Sequence, residues 1–263
     1  MVKTEDIKVA LNQYLKQLFL STMRQSYADL AVQARQESLS YEKYLLVLAE
    51  QECITRQNNR IERNLKASKI SRDKNIDTFD LKRVPTRVAH QVRSLLQGSF
   101  VDYKENILAF GNPGSGKTHL LCAIGQELIR KGRKVYFTPC SLLVQELLKA
   151  KKELELSQLL KKLSRYDALI IDDIGYVQQE RSEMEVLFTL LADRYERSSI
   201  MITSNLPFSK WEQIFKDPMV TAAAIDRLVH HSVILELNIE SYRMKAAKKN
   251  KNKKPDGSGK GSK

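Results

Sequence analysis

The eight residues Gly111-Asn112-Pro113-Gly114-Ser115-Gly116-Lys117-Thr118 constrain the fold of this chain more than any other stretch. They follow a short apolar run, Ile107–Phe110, and lead into a helical pattern from His119 to Arg130. Glycines in such a loop let backbone N–H groups turn inward around an anion, and the N-terminus of the next helix adds positive potential. Strand, glycine-rich loop and helix in that order make a cradle for a nucleoside triphosphate. Lys117 is placed to reach the β- and γ-phosphates, and Thr118 offers a hydroxyl to Mg²⁺. His119 directly follows the loop and completes the candidate nucleotide-binding set, with no visible catalytic companion.

A second apolar run ends in Asp172-Asp173. A buried strand would deliver Asp172 to the C-terminal edge of a sheet, where it can hold Mg²⁺ directly or through water. Asp173 is then the candidate to orient and deprotonate the attacking water. Many ATPases of this kind carry Glu at that place, and the shorter Asp would stand further from the γ-phosphate. Slow or partner-dependent hydrolysis is the expectation. The next strand ends in Thr203-Ser204-Asn205, and Asn205 is the candidate sensor of the γ-phosphate or the water; an ordinary turn residue is the alternative. Arg227, at the end of a later helix, is the candidate arginine finger, supplied by a neighbouring subunit to charge developing on the phosphoryl oxygens. Arg194 and Arg197 are its rivals.

From Asn106 onward the chain alternates strands (Ile107–Phe110, Val135–Thr138, Ala168–Ile171, Ile200–Thr203, Val233–Leu237) with helical segments around 118–131, 141–163, 184–197 and 209–228. That alternation predicts a doubly wound α/β domain with five parallel strands, its ligand beyond the strand C-termini. Residues 7 to about 70 hold neither proline nor glycine and repeat apolar positions at helical spacing, as in Leu11, Leu15, Leu18 and Phe19. We divide the chain into a small all-α N-terminal domain over 1–75, an α/β domain over 76–243 and a disordered lysine-rich tail over 244–263, with a hinge between Ser71 and Pro85.

The net charge of +13 is unevenly distributed. Residues 101–243 carry 19 Lys/Arg and 19 Asp/Glu, whereas residues 1–100 carry 17 against 11 and residues 244–263 carry 8 against 1. A neutral core flanked by basic segments points to an anionic polymer as partner. No apolar run approaches a membrane span, and no amphipathic segment pairs the charge with an insertion face. Cys53, Cys122 and Cys140 show no metal-ligand spacing and read as buried thiols in a reducing compartment, the cytoplasm.

Read in order, these segments resemble the AAA+ superfamily, in the branch of bacterial helicase loaders and their transposon relatives, and are similar to the IstB-type helper ATPases of insertion sequences. The resemblance rests on Gly111–Leu120, Leu169–Gly175, Asp193–Arg197, Thr203–Trp211, Asp226–His231 and Glu240–Arg243. It implies ATP as the nucleotide and homo-oligomers on duplex DNA with ATP sites between subunits. It also implies delivery of a transposase to target DNA. It gives Lys117, Thr118, Asp172, Asp173 and Asn205 their nucleotide roles and puts Arg227 where the finger belongs. The usual C-terminal helical lid is missing, although Arg243 could substitute in part.

Arg56, Arg60 and Arg63 fall at i, i+4 and i+7 with Lys66 one turn on, a stripe suited to a phosphate backbone or, more plainly, a solvated helix face. Between residues 56 and 74 seven basic residues meet only Glu62 and Asp73, which favours the phosphate reading. Lys149, Lys151 and Lys152 are the second candidate DNA contact, on a segment where the resemblance implies a helical insertion that can line a DNA path. No base-reading motif is present, so binding is expected to be sequence-independent and salt-sensitive. The competing readings are a loader for a replicative helicase and, from another class, a small-molecule kinase. Asp172-Asp173, Asn205 and the basic flanks argue against the kinase.

Overall fold

A computed structural model describes residues 4–175, 181–211, 218–239 and 241. The chain forms two compact units, Met1–Arg63 and Asn64–Lys263. The first is helical: α1 (Thr4–Gln17), α2 (Ser21–Gln36) and most of α3 (Tyr41–Ala67). No side chain of the preceding residue caps α2; instead the buried carboxylate of Glu52 on α3 accepts from the Thr22 and Met23 N–H groups at 2.7 and 3.0 Å. Those are two of the amides a helix start leaves without an intrahelical partner. Arg56 Nε donates to the other oxygen of Glu52 at 2.8 Å.

The second unit is a five-stranded parallel sheet, β1 (Asn106–Phe110), β2 (Val135–Pro139), β3 (Ala168–Ile174), β4 (Ser199–Ser204) and β5 (Ser232–Glu236), in the order β2-β3-β4-β1-β5. This is the doubly wound fold read from the sequence. Both faces are covered because strand side chains alternate. Leu108, Leu169, Ile171 and Ile202 join the cluster formed with α6 (Cys140–Lys152) and α8 (Arg181–Arg194), through Leu143, Leu147, Leu187 and Leu190. Ile170, one residue out of phase, meets Gly125 on α5 (Lys117–Arg130), where an added Cβ would stand 2.9 Å from its Cδ1. The glycine is what lets α5 lie close to the sheet. The remaining α-helices among the described residues are α4 (Thr86–Leu95), α7 (Leu156–Leu163) and α9 (Pro218–Val229). Among the described residues no helical domain follows β5, and no helix is long and apolar enough to cross a membrane.

Several expectations change. The helix expected over 141–163 is two, α6 and α7, broken at Leu154, whose φ is +60°. The Glu155 N–H reaches back to the Ala150 carbonyl at 2.8 Å, the closing bond of a left-handed helix stop. Of the segment expected over 209–228, the described residues hold a 3₁₀ turn, Phe208–Lys210, and α9, while 212–217 lie outside them. The hinge region is packed on the second unit. Ile70, Phe79 and Val84 are buried, Phe137 N–H donates to the Ser68 carbonyl, and the buried Gln126 amide donates to the carbonyls of Ser71 and Lys74 at 3.0 Å each. The division between the units therefore lies ahead of residue 75. Cys122 and Cys140 are buried as expected, and burial pushes the Cys122 thiol up to about 12; Cys53 is exposed on α3, contrary to expectation. The tail over 244–263 and Arg243 lie outside the described residues.

Candidate active site

The C-terminal ends of β1, β3 and β4 bring six side chains together. Gly111, Gly114 and Gly116 adopt φ of +150°, +77° and +96°, conformations open to glycine, and Gly116 starts α5. A Cβ at Gly111 would collide with the Leu237 carbonyl, and one at Gly114 with the Ser241 hydroxyl. Asn112 and Pro113 are exposed at the tip. Ser115 is fully buried, and its Oγ has no hydrogen-bond partner among the described residues.

Lys117 is buried, and its ammonium donates to the carbonyls of Gly111 at 2.8 Å and Asn112 at 3.0 Å and to Asn205 Oδ1 at 2.7 Å. Asn205 turns its other end to Asp173, Nδ2 donating to Oδ1 at 3.0 Å. Thr118 Oγ1 donates to Asp172 Oδ1 at 2.7 Å. Thr203 donates to the same oxygen at 2.7 Å while its own Oγ1 accepts from the Asp173 N–H at 2.7 Å. The six side chains thus form one hydrogen-bonded network.

Consecutive strand residues point to opposite faces, so Asp172 and Asp173 cannot both serve one site on a regular strand. A β-bulge resolves this. Ile171 pairs with Ile202 but Ile174 pairs with Ser204, so two aspartates oppose the single Thr203. Asp173 takes up the extra residue at φ +64°. Burial raises the Asp173 carboxyl pKa, the neighbouring Asp172 raises it further, and Lys117 opposes both. Asp173 is thereby a stronger base than an ordinary aspartate. The Thr118 hydroxyl and Asp172 carboxylate form a hard oxygen pair of the kind Mg²⁺ takes. The unpartnered Ser115 Oγ and the positive-φ glycines of the loop fit a phosphate-bearing ligand.

His119 faces away from this network. Its Nε2 lies 2.9 Å from the Asn75 carbonyl and 3.0 Å from Thr78 Oγ1, and its ring stands edge-on to Phe79 at 5.4 Å. Arg227 stands apart from the network, stacked on the Phe188 ring at 4.7 Å with its Nη1 donating to the Ala223 carbonyl at 3.4 Å. Its rival Arg194 is excluded as a finger: it is 1% exposed and donates to the carbonyls of Leu163, Tyr166 and Ser199 at 3.0 to 3.1 Å. Arg197 is exposed and pairs with Asp193 at 3.6 Å. Thr203 is the site residue that sequence reasoning missed; its signal was its place on the strand beside Asp172.

Arg56, Arg60 and Arg63 lie exposed on α3 in the first unit, Arg56 held to Glu52; Lys66 lies exposed in the second. Lys149, Lys151 and Lys152 are exposed at the end of α6, the first two paired with Glu153 at 3.9 Å and Glu185 at 2.8 Å. A cavity of about 290 Å³ gathers Lys134, Lys162 and Arg165, a grouping of cations that linear spacing hides.

Comparisons with known proteins identify the family. The profile of the IstB-like ATP binding proteins matches residues 13–250. An insertion-sequence ATP-binding protein of Sinorhizobium fredii is 43% identical over 89% of this chain and 78% of its own length. The ATP-binding protein of insertion sequence IS5376 from Geobacillus stearothermophilus is 38% identical over 95% of this chain and all of its own. Among solved structures, the DnaC helicase loader superimposes with a TM-score of 0.56 at 20% identity, covering 64% of this chain and 98% of the loader. Aquifex aeolicus DnaA bound to AMPPCP gives 0.55 at 18% identity, over 70% of this chain and 56% of that one. At those identities the likeness shows the fold alone. With the profile spanning nearly the whole chain, the protein belongs to the IstB-like family of insertion-sequence ATP-binding proteins.

Proposed function

We propose that the protein is an ATP-hydrolysing, DNA-binding helper of transposition. It assembles with itself on duplex DNA while ATP is bound and presents that DNA to a transposase. The observation that carries the reading is the network linking Lys117, Asn205, Asp173, Thr203, Asp172 and Thr118 at the end of three strands. Lys117 and the loop amides of 111–118 would hold the triphosphate, and Thr118 with Asp172 would hold Mg²⁺, which supplies charge neutralisation at the phosphates. Asp173, with its raised basicity, orients the attacking water and accepts its proton. Asn205 couples Asp173 to Lys117, so phosphate contacts at the lysine are felt at the base. Arg227 of one copy would complete the site of the next.

The basic stripe Arg56, Arg60 and Arg63, together with Lys66, Lys149, Lys151, Lys152 and the lysine-rich tail, would supply sequence-independent phosphate contacts. A cytoplasmic location follows from that role, as does the division into a DNA-binding helical domain and an ATPase domain. Sedimentation with random duplex DNA tests the reading, run with ATP, with ADP and without nucleotide, beside Lys117→Ala. Large particles form only with ATP and are lost in the variant. Particles that ignore nucleotide would overturn the proposal. Coprecipitation with the transposase of the same element, against a replicative helicase, identifies the partner.

A further inference from the structure

The second unit gathers metal-ligand chemistry at a place remote in sequence from the phosphate loop. Glu196 follows α8, and His230 and His231 form the turn between α9 and β5. One ligand atom from each of the three lies within 4.8 Å of the others, and all three side chains are exposed. We propose that Glu196, His230 and His231 form a binding site for a divalent transition metal ion of the zinc class.

The backbone holds these residues in place. The His231 carbonyl accepts from Asn106 N–H at 2.7 Å at the start of β1, and His230 N–H donates to the Asp226 carbonyl at 3.0 Å. The two imidazole rings stand edge to face with centroids 4.2 Å apart. Tetrahedral zinc with bonds of about 2.0–2.1 Å sets its ligand atoms roughly 3.4 Å apart, so exposed side chains within 4.8 Å need close by at most about 1.4 Å. Tyr195 Oη lies 3.2 Å from His230 Nδ1, so coordination through Nε2 would leave the phenol to orient the imidazole from its other nitrogen. Two imidazoles and one carboxylate favour zinc, cobalt or nickel over magnesium, whereas the Thr118–Asp172 pair offers oxygen alone. Three ligands leave a fourth position for water or a donor from another molecule. The ion would tie the end of α8 to the end of α9, the helix that carries Arg227.

The test uses the full chain, stripped with a chelator and titrated with zinc chloride by calorimetry, and with cobalt(II) followed by absorption. One ion binds per chain, cobalt gives the spectrum of a nitrogen- and oxygen-ligated site, and zinc raises the melting temperature. Glu196→Gln weakens binding at least about tenfold, His230→Asn with His231→Asn abolishes it, and Tyr195→Phe has a smaller effect. Asp172→Asn leaves it unchanged, and millimolar Mg²⁺ does not compete. Zinc binding of equal strength in the double histidine variant, or none in the parent chain, overturns the proposal. Glu196→Gln alters an exposed side chain, so a loss there is read on folded protein, verified by circular dichroism.

Discussion

The two units solve the burial problem differently. The ATP-binding unit closes its own core: strands, helices and Trp211 leave a continuous set of apolar side chains out of water, and the indole N–H is satisfied by the Leu206 carbonyl at 3.1 Å. The N-terminal unit buries Leu15 and Leu48 but leaves Phe19 82%, Tyr41 91% and Leu18 64% exposed. Its firmest anchor is polar, the Glu52 carboxylate at the start of α2. A unit of this size has little apolar surface to hide. One unit is held by packing, the other by a few directed bonds and whatever surface it meets.

The sharpest way to break this contrast is Arg194→Met. Three carbonyls lose a charged donor, which costs about 3–5 kcal/mol and lowers the melting temperature of the ATP-binding unit by roughly 10 °C. Burial pulls the Arg194 guanidinium down to about 10, so it remains charged at neutral pH. Helicity of α1–α3, followed separately by proteolysis of the first unit, stays unchanged. Next in size, Thr203→Val removes the hydroxyl that holds the bulge. Phosphate release should fall about 10- to 100-fold, from bonds of about 1.5–3 kcal/mol, with nucleotide affinity nearly constant. A change in affinity alone would mean that Thr203 only shapes the loop.

Glu52→Gln sharpens the comparison from the other side. It should cost about 1 kcal/mol, read as earlier urea melting of the N-terminal helices. The pH dependence follows from opposite shifts. Burial alone would raise the Glu52 pKa, but bonds from Met23, Arg56 and Thr22 outweigh it and hold it below its usual value of 4.5. Its stabilisation is present above that value and disappears as pH falls through the lowered one. Asp173 is raised above 3.8, so its ionisation costs stability and acid relieves the cost. Acid titration should therefore loosen the N-terminal unit first, and Glu52→Gln should remove that difference. The smallest effect belongs to Arg60→Gln, which should lower the salt-dependence slope of DNA binding by about one without altering either unit's melting.

The elements of the ATP-binding unit are legible in the sequence because apolar runs of strand length alternate with helical spacing, and glycine marks the phosphate loop. Asp172, Asp173 and Asn205 can be found because each ends such a run. What is hidden is non-local. The bulge depends on how β3 registers against β4, which neither strand states alone. Arg194 reads as a surface residue because its acceptors come from three separate places in the chain. Glu196 and the His230-His231 pair show no ligand spacing until folding joins the ends of α8 and α9. Leu154, an exposed leucine at positive φ, stops a helix where composition predicts continuation.

The backbone after β5 gives the phosphate loop a mechanical connection. Leu237 N–H donates to the Phe110 carbonyl at 2.7 Å, the last residue before the loop, and Ser241 rests against Gly114. A substitution at Leu237 or Ser241 would therefore disturb the phosphate loop through its own backbone, although neither residue belongs to the loop.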